Sequence, residues 1–215
     1  MQDNDVRLQL ALDFTNLKSA IEIADQVKDY VDIIEAGSPL IKAEGLGVVK
    51  KLKERYPEKL IMADMKTADI GSLEVRMAGK AGADITTILG ACPTETVQSG
   101  VEKAWEEGDI KIAVDLLGVQ NLKKRINELQ KCKPSYFLVH VGIDEQKAGK
   151  DPLRKVIDVA KASKTPLIVA GGIDAKLAER LAKIDNVDVV IVGGTITRAD
   201  DPIKAAQEIK AALQS

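Results

Sequence analysis

A closed (β/α)8 barrel is the architecture to expect from this chain, and three observations lead to it. Short apolar, β-branched runs recur along the whole sequence. A longer stretch of helical period follows each run, and polar or glycine residues stand at the same end of every one. Strands that alternate with helices pair in parallel through right-handed crossovers. Eight such units within 215 residues favour closure into one compact barrel over an open doubly wound sheet, the alternative arrangement. No linker-like composition interrupts them, so residues 1–215 read as a single (β/α)8-barrel domain.

The first strand candidate is Leu8–Asp13. Behind it Ala20, Ile21, Ala24 and Val27 recur at i, i+1, i+4 and i+7, the apolar stripe of an amphipathic helix. Val31–Glu35 is the second strand. The lysines Lys50, Lys51 and Lys53 that come after it alternate with apolar residues, as on a solvated helix face. Leu60–Asp64, Asp84–Ile88, Lys111–Asp115 and Tyr136–His140 are the third to sixth strands, and Asp144–Lys150 reads as a loop with a short helix. Pro166–Ala170 and Asp188–Val192 are the seventh and eighth. Their runs Ile168-Val169-Ala170 and Val189-Val190-Ile191-Val192 are apolar throughout, as suits strands buried on both faces of a parallel sheet. Between them Leu177, Leu181 and Ile184 repeat the helical stripe, with Asp174 at the position of an N-cap. Pro202, after Asp200-Asp201, stands where a first-turn proline belongs.

A composition of 45% hydrophobic and 30% charged residues is that of a soluble globular protein. A formal charge of −2 supplies no global attraction to nucleic acid or to an acidic membrane, and a basic face with stacking aromatics is missing. No apolar run approaches the ~20 residues that span a bilayer. Met1-Gln2-Asp3-Asn4-Asp5 leads straight into a strand without the pattern of a secretory signal. Cys92 and Cys132 form neither a metal nor a disulfide pattern and read as reduced small side chains. The expected setting is cytoplasmic, with no nucleic-acid and no membrane partner.

Read in order, the C-terminal strand ends carry Asp13, Glu35, Asp64, Thr86-Thr87, Asp115, His140, Gly171-Gly172 and Gly193-Gly194. Barrel active sites are built on that face. Each residue alone has an ordinary explanation, since aspartates cap helices, histidines pack in cores and glycine pairs make tight turns. Four carboxylates and the single histidine of the chain at equivalent points of one ring point instead to chemistry. In Asp64-Met65-Lys66, strand alternation turns Asp64 and Lys66 the same way and Met65 outward, with Asp69 in the loop beyond. A lysine between carboxylates stays charged and can stabilise a developing oxyanion, although a plain rim salt bridge has the same signature. Glu35 and Asp64 end consecutive strands and can converge on one cation. Mg²⁺ suits such a pair, because it keeps waters or substrate oxygens beside one or two carboxylates. Without a metal, Glu35 would partner Lys66. An imidazole with an unperturbed pKa of about 6.5 can take or give a proton at neutral pH, the role open to His140. The two glycine pairs occupy the loops where barrels commonly bind phosphate.

At these residues the sequence resembles the orotidine 5′-phosphate decarboxylase suprafamily. The shared mark of that group, Asp-x-Lys-x-x-Asp at the third strand, reads here Asp64-Met65-Lys66-Thr67-Ala68-Asp69. Leu12-Asp13, Glu35-Ala36-Gly37 and the segment from Val139 to Gln146 carry the resemblance further, and it extends from Leu8 to Leu213. The decarboxylase that names the group has a lysine where Glu35 stands and works without metal. It also has a Gly-Arg pair after strand eight, where this chain has Gly193-Gly194 and, further on, Arg198. The 3-keto-L-gulonate 6-phosphate decarboxylases resemble a His-Arg-x-Arg-Asp arrangement after strand six, against His140-Val141-Gly142-Ile143-Asp144 here. Within the suprafamily these motifs most resemble a branch of aldolase-type lyases. The resemblance then implies a reversible condensation of formaldehyde with D-ribulose 5-phosphate through an enediolate. It implies Mg²⁺, with Mn²⁺ as a substitute, on Glu35 and Asp64, and His140 as base beside Lys66. Asp13 would position Lys66 or a substrate hydroxyl, and Gly171, Gly172, Gly193 and Gly194 would hold the phosphate. Asp69 would reach into the neighbouring site of a homodimer with shared active sites. Decarboxylation of 3-keto-L-gulonate 6-phosphate on the same scaffold is the rival, and the role of Arg198 stays open.

Overall fold

Eight parallel strands pair in chain order, and β8 returns to β1 to close the barrel, in the computed structural model of the chain, which describes residues 6–108, 110–141 and 152–215. The strands are β1 (Arg7–Leu12), β2 (Ile33–Ala36), β3 (Leu60–Thr67), β4 (Ile85–Leu89), β5 (Lys111–Asp115), β6 (Tyr136–His140), β7 (Leu167–Ala170) and β8 (Val187–Val192). The described α-helices are α1 (Leu17–Val27), α2 (Ser38–Glu44), α3 (Gly47–Arg55), α4 (Gly71–Lys80), α5 (Thr94–Glu107), α6 (Leu122–Leu129), α7 (Pro152–Ala162), α8 (Ala175–Ala182), α9 (Gly194–Thr197) and α10 (Pro202–Leu213). The barrel, and not the open sheet, is the outcome. Strand bounds follow the sequence reading closely except in β3, which runs past Asp64 to Thr67. The expected loop at Asp144–Lys150 lies outside the described residues. Among those described, no helix is long and apolar enough to cross a membrane.

Alternation along each strand divides the side chains into two cores. Leu8, Leu10, Ile34, Val114, Phe137 and Val190 face outward into the layer between sheet and helices, where each is fully buried. Ala11, Ile33, Met62, Ile85, Ala113 and Leu138 face inward and fill the barrel. One inward position further along the same strands come Asp13, Glu35, Asp64, Thr87, Asp115 and His140. The polar ring is thus the top layer of the inward-facing set, seated on an apolar plug. At the opposite end Arg7 donates to the Tyr136 hydroxyl at 2.9 Å and pairs with Asp188, and Lys111 stands 5.8 Å from the Tyr136 ring centre.

Local chemistry fixes the helices as the sequence implies. Ala20, Ala24 and Val27 are the buried residues of α1. The Asp174 carboxylate accepts from Leu177 N–H at 2.8 Å to cap α8. Asp201 caps α10 in the same way ahead of Pro202. Lys50 and Lys51 are solvated, but Lys53 is not part of that open face. Its ammonium turns in to Asp84 at 2.9 Å and to the carbonyl of Lys59 at 3.1 Å, tying α3 to the start of β4. Cys92 and Cys132 are free and buried.

Candidate active site

At the mouth, β3 supplies both an acid and its base partner through an irregular end. Pairing with β4 runs Met62↔Ile85 and Ala63↔Thr86, then resumes at Thr67↔Ile88, so β3 bulges between Ala63 and Thr67. Lys66 sits in the bulge with φ 47°, in the left-handed region that a side-chain-bearing residue enters only at a cost. The bulge leaves Met65 packed on the outer core and brings the Lys66 ammonium back over Asp64, 3.0 Å from Oδ1 and 2.8 Å from Oδ2. The expected shared orientation of Asp64 and Lys66 is present, but a bulge produces it and simple alternation does not.

Asp64 is almost fully buried and its carboxylate accepts from three side chains. Besides Lys66, Oδ1 accepts from the Thr87 hydroxyl at 2.8 Å. Ser38, the first residue of α2, places its hydroxyl 2.8 Å from both Oδ2 and the Asp64 carbonyl. Lys66 reaches a second acid, Asp115 Oδ2, at 3.2 Å. Burial by itself lowers the Lys66 pKa, but Asp64 and then Asp115 more than offset it, and the ammonium is held above the usual lysine range. Lys66 therefore remains a cation throughout the neutral range.

Asp115 also faces His140, whose Nδ1 lies 3.4 Å from the same Oδ2. Burial pushes the Asp115 carboxyl up, whereas the His140 contact and the Lys66 charge pull it down further, so it rests below its ordinary value and is ionised. An ionised carboxylate at Nδ1 favours the tautomer with the proton on that nitrogen, which leaves Nε2 with a lone pair. The network Asp64–Lys66–Asp115–His140 is therefore continuous across β3, β5 and β6.

Glu35, at 6% exposure, lies beside this network. Its carboxylate accepts from Gln9 Nε2 at 2.6 Å. Burial, then Asp64 and Asp13, drive its pKa well above the ordinary glutamate value, with Lys66 and Gln9 opposing. Glu35 and Asp64 are two neighbouring buried carboxyls that repel each other, and the charge of a hard divalent cation would relieve that repulsion. Glu35 and Asp64 are the residues that could hold one. Among the described residues no group of three or more His, Cys, Asp or Glu converges to hold a metal ion. An open pair leaves coordination positions for water and substrate oxygens.

Asp13 opens toward solvent, and its pKa is raised by burial on its protein side and by Asp64, with Lys66 and His140 pulling the other way. The Lys66 ammonium is hydrogen-bonded to Asp64 and Asp115, and Asp13 acts on it only through space. Gly37 lets the chain pass against Asp13, since a Cβ there would collide with the carboxylate. Asp69 stands apart from the cluster. It is exposed, and its Oδ1 accepts from the N–H of Ile70 at 2.7 Å.

The glycine pairs lie where the sequence puts them, after β7 and β8. Gly171 has φ 117° and presses on the carbonyl of Val141, so no side chain fits there. Gly193 follows β8 beside the end of the neighbouring β1, where a side chain would meet Ala11 and Asp13. The Arg198 guanidinium folds back over Gly194, which brings a fixed positive charge beside this loop. Gln9, Ser38 and the double contact of Asp115 are the site features that sequence reasoning missed. Gln9 had a visible signal, as a polar residue inside the apolar run from Leu8 to Leu12.

Comparison with known proteins places the chain among relatives of the same architecture. Residues 6–209 match the orotidine 5′-phosphate decarboxylase / HUMPS family. A 3-hexulose-6-phosphate synthase of Staphylococcus aureus is 41% identical over 212 residues, covering 97% of this chain and 99% of the relative. The crystal structure of 3-hexulose-6-phosphate synthase from Salmonella typhimurium aligns with TM-score 0.93 at 39% identity, covering 97% of this chain and 98% of the other. The 3-keto-L-gulonate-6-phosphate decarboxylase of Vibrio cholerae aligns with TM-score 0.85 at 28% identity, covering 97% of each chain.

Proposed function

The chain belongs to the orotidine 5′-phosphate decarboxylase / HUMPS family as a carbon–carbon lyase, and from that premise we propose that it condenses formaldehyde reversibly with D-ribulose 5-phosphate. The observation that carries this reading is the continuous Asp64–Lys66–Asp115–His140 network beside the buried Glu35. Relatives named 3-hexulose-6-phosphate synthase, at 41% and 39% identity, favour this reaction over the decarboxylation named for a relative at 28%.

The chemical problem is removal of a C1 proton next to a ketone, where the enediolate is too unstable to form quickly in water. The Gly171-Gly172 and Gly193-Gly194 loops hold the phosphate, with Arg198 beside them, so binding energy from a remote group fixes the reacting carbon. The Lys66 ammonium donates to the ketose oxygen on which negative charge develops. Nε2 of His140 takes the C1 proton, and Asp115 stabilises the imidazolium so formed. C1 then attacks the formaldehyde carbon, a carbon–carbon bond forms, and the formaldehyde oxygen takes a proton from His140. The product is D-arabino-3-hexulose 6-phosphate. Asp13, open to the mouth, accepts from a substrate hydroxyl. Glu35 and Asp64 would hold Mg²⁺, for which Mn²⁺ substitutes, and when bound the ion supplies further positive charge to offset the developing anion.

A homodimer completes the proposal. Ile70, Leu73 and Met77 are exposed at 56%, 40% and 44% and form an apolar stripe on the α4 side, next to Asp69. Pairing two copies over this stripe removes it from water and carries Asp69 toward the site of the other copy.

Formaldehyde consumption and hexulose phosphate formation from ribulose 5-phosphate test the reading, before EDTA treatment, after it, and after Mg²⁺ is restored. Product that disappears with EDTA and returns with Mg²⁺ is the expected outcome. Release of CO₂ from 3-keto-L-gulonate 6-phosphate, with no formaldehyde consumed, overturns the aldol assignment. Full activity after EDTA overturns the metal.

A further inference from the structure

We propose that Thr87 is the positioning residue of this site: one buried hydroxyl on β4 fixes both the backbone bulge that carries Lys66 and the carboxylate of Asp64. The inference rests on the reaction proposed above for its kinetic consequences, but its structural core stands apart from them. Thr87 is fully buried and faces inward on β4. Its oxygen accepts from the Lys66 backbone N–H at 2.8 Å and donates to Asp64 Oδ1 at 2.8 Å. A hydroxyl has one proton and two lone pairs, so it makes both bonds at once.

The first bond answers a need that the bulge creates. Between Ala63↔Thr86 and Thr67↔Ile88, β3 has more residues than β4 has to pair with them, and Lys66 falls in the unpaired stretch. Its N–H has left the regular ladder, and burial without a partner would be costly. The left-handed backbone of Lys66 persists only where its surroundings over-determine it. The Thr87 oxygen is the acceptor the structure provides. The second bond holds one oxygen of Asp64 while Ser38 holds the other, so the carboxylate cannot swing away from the ammonium. Thr86, the neighbouring residue, is equally buried, but its hydroxyl donates only to the carbonyl of Ala63 at 3.1 Å.

Thr87→Val keeps shape and removes the hydroxyl, Thr87→Ser keeps the hydroxyl, and Thr86→Val is the control. Three quantities are measured: hydrogen exchange at the Lys66 amide, kcat, and KM for ribulose 5-phosphate. In Thr87→Val the Lys66 amide should exchange at least about tenfold faster, and kcat should fall roughly tenfold to a hundredfold. KM should stay within about threefold, because the phosphate loops are on β7 and β8. Thr87→Ser should recover most of kcat and of the amide protection, and Thr86→Val should leave both near wild type. Thr87→Ala gives the same two readings should the valine variant not fold. Unchanged Lys66 protection and unchanged kcat in a variant without the hydroxyl overturn the proposal, as does an equal loss in Thr86→Val. Absence of hexulose phosphate synthesis in the wild type would overturn the reaction instead, while Lys66 exchange would still test Thr87.

Discussion

At Glu35 burial and the carboxylates of Asp64 and Asp13 push in the same direction, so the folded chain holds that proton more tightly than an unfolded chain does. With the folded pKa above the unfolded one, stability is highest below the ordinary glutamate pKa and falls as pH rises through the raised value. Metal-free protein at neutral pH therefore carries a penalty that Glu35→Gln removes. The metal-free variant is expected to melt a few degrees above metal-free wild type at pH 8, with little difference at pH 4, while activity assayed with Mg²⁺ present falls by about a hundredfold or more. Calorimetry of the two metal-free proteins at both pH values checks this, and a variant less stable at pH 8 contradicts it. That Asp13, Glu35, Asp64 and Asp115 gather at one mouth was legible at this scale, because residue type and strand position carry that information, whereas Asp69 stands apart from them. What each acid does was less so. Asp115 stands in the sequence as one more strand-end carboxylate, yet it joins Lys66 of β3 to His140 of β6. That contact depends on barrel closure and side-chain reach, and neither is written in the spacing of residues along the chain.

The elements themselves follow local rules, and these are what a sequence expresses most directly. Asp174 ahead of the Leu177 and Leu181 stripe predicts a cap, and the carboxylate accepts from Leu177 N–H at 2.8 Å. Asp174→Ala is expected to cost about 1 kcal/mol, lowering Tm by roughly 2–4 °C. A thermal melt checks this, and an unchanged Tm would mean the cap contributes nothing. Strand β3 shows where local rules stop. Asp64 and Lys66 do meet on one side as alternation would have it, but what brings them there is a bulge between Ala63 and Thr67 whose partner group, Thr87, lies on β4. A bulge of this kind has no signature in the run Leu60–Asp64, since Lys66 is neither glycine nor asparagine. Lys53 is a similar case. Its helical spacing matches a solvated face, and Asp84, just ahead of β4, and the Lys59 carbonyl turn it inward.

For the whole molecule, closure was legible because eight apolar runs with polar C-terminal ends leave few other ways to bury them. The inward-facing set then stacks an apolar plug beneath a polar ring, so fold and site arise from one alternating pattern. Assembly is a separate matter. The proposed shared site would rest on the exposed stripe of Ile70, Leu73 and Met77 beside the exposed Asp69. Mixing inactive Asp69→Ala with inactive Lys66→Ala should restore about a quarter of wild-type activity, the share of intact sites when subunits exchange at random. No recovery after verified exchange would count against shared sites.

The most direct measurement is deuterium incorporation at C1 of ribulose 5-phosphate in D₂O with no formaldehyde present. It isolates proton removal from carbon–carbon bond formation. Wild-type protein with Mg²⁺ should exchange the C1 proton, and His140→Asn should lose that exchange by about a hundredfold or more. Exchange at the wild-type rate in His140→Asn, or none in an enzyme that still forms hexulose phosphate, would contradict the account.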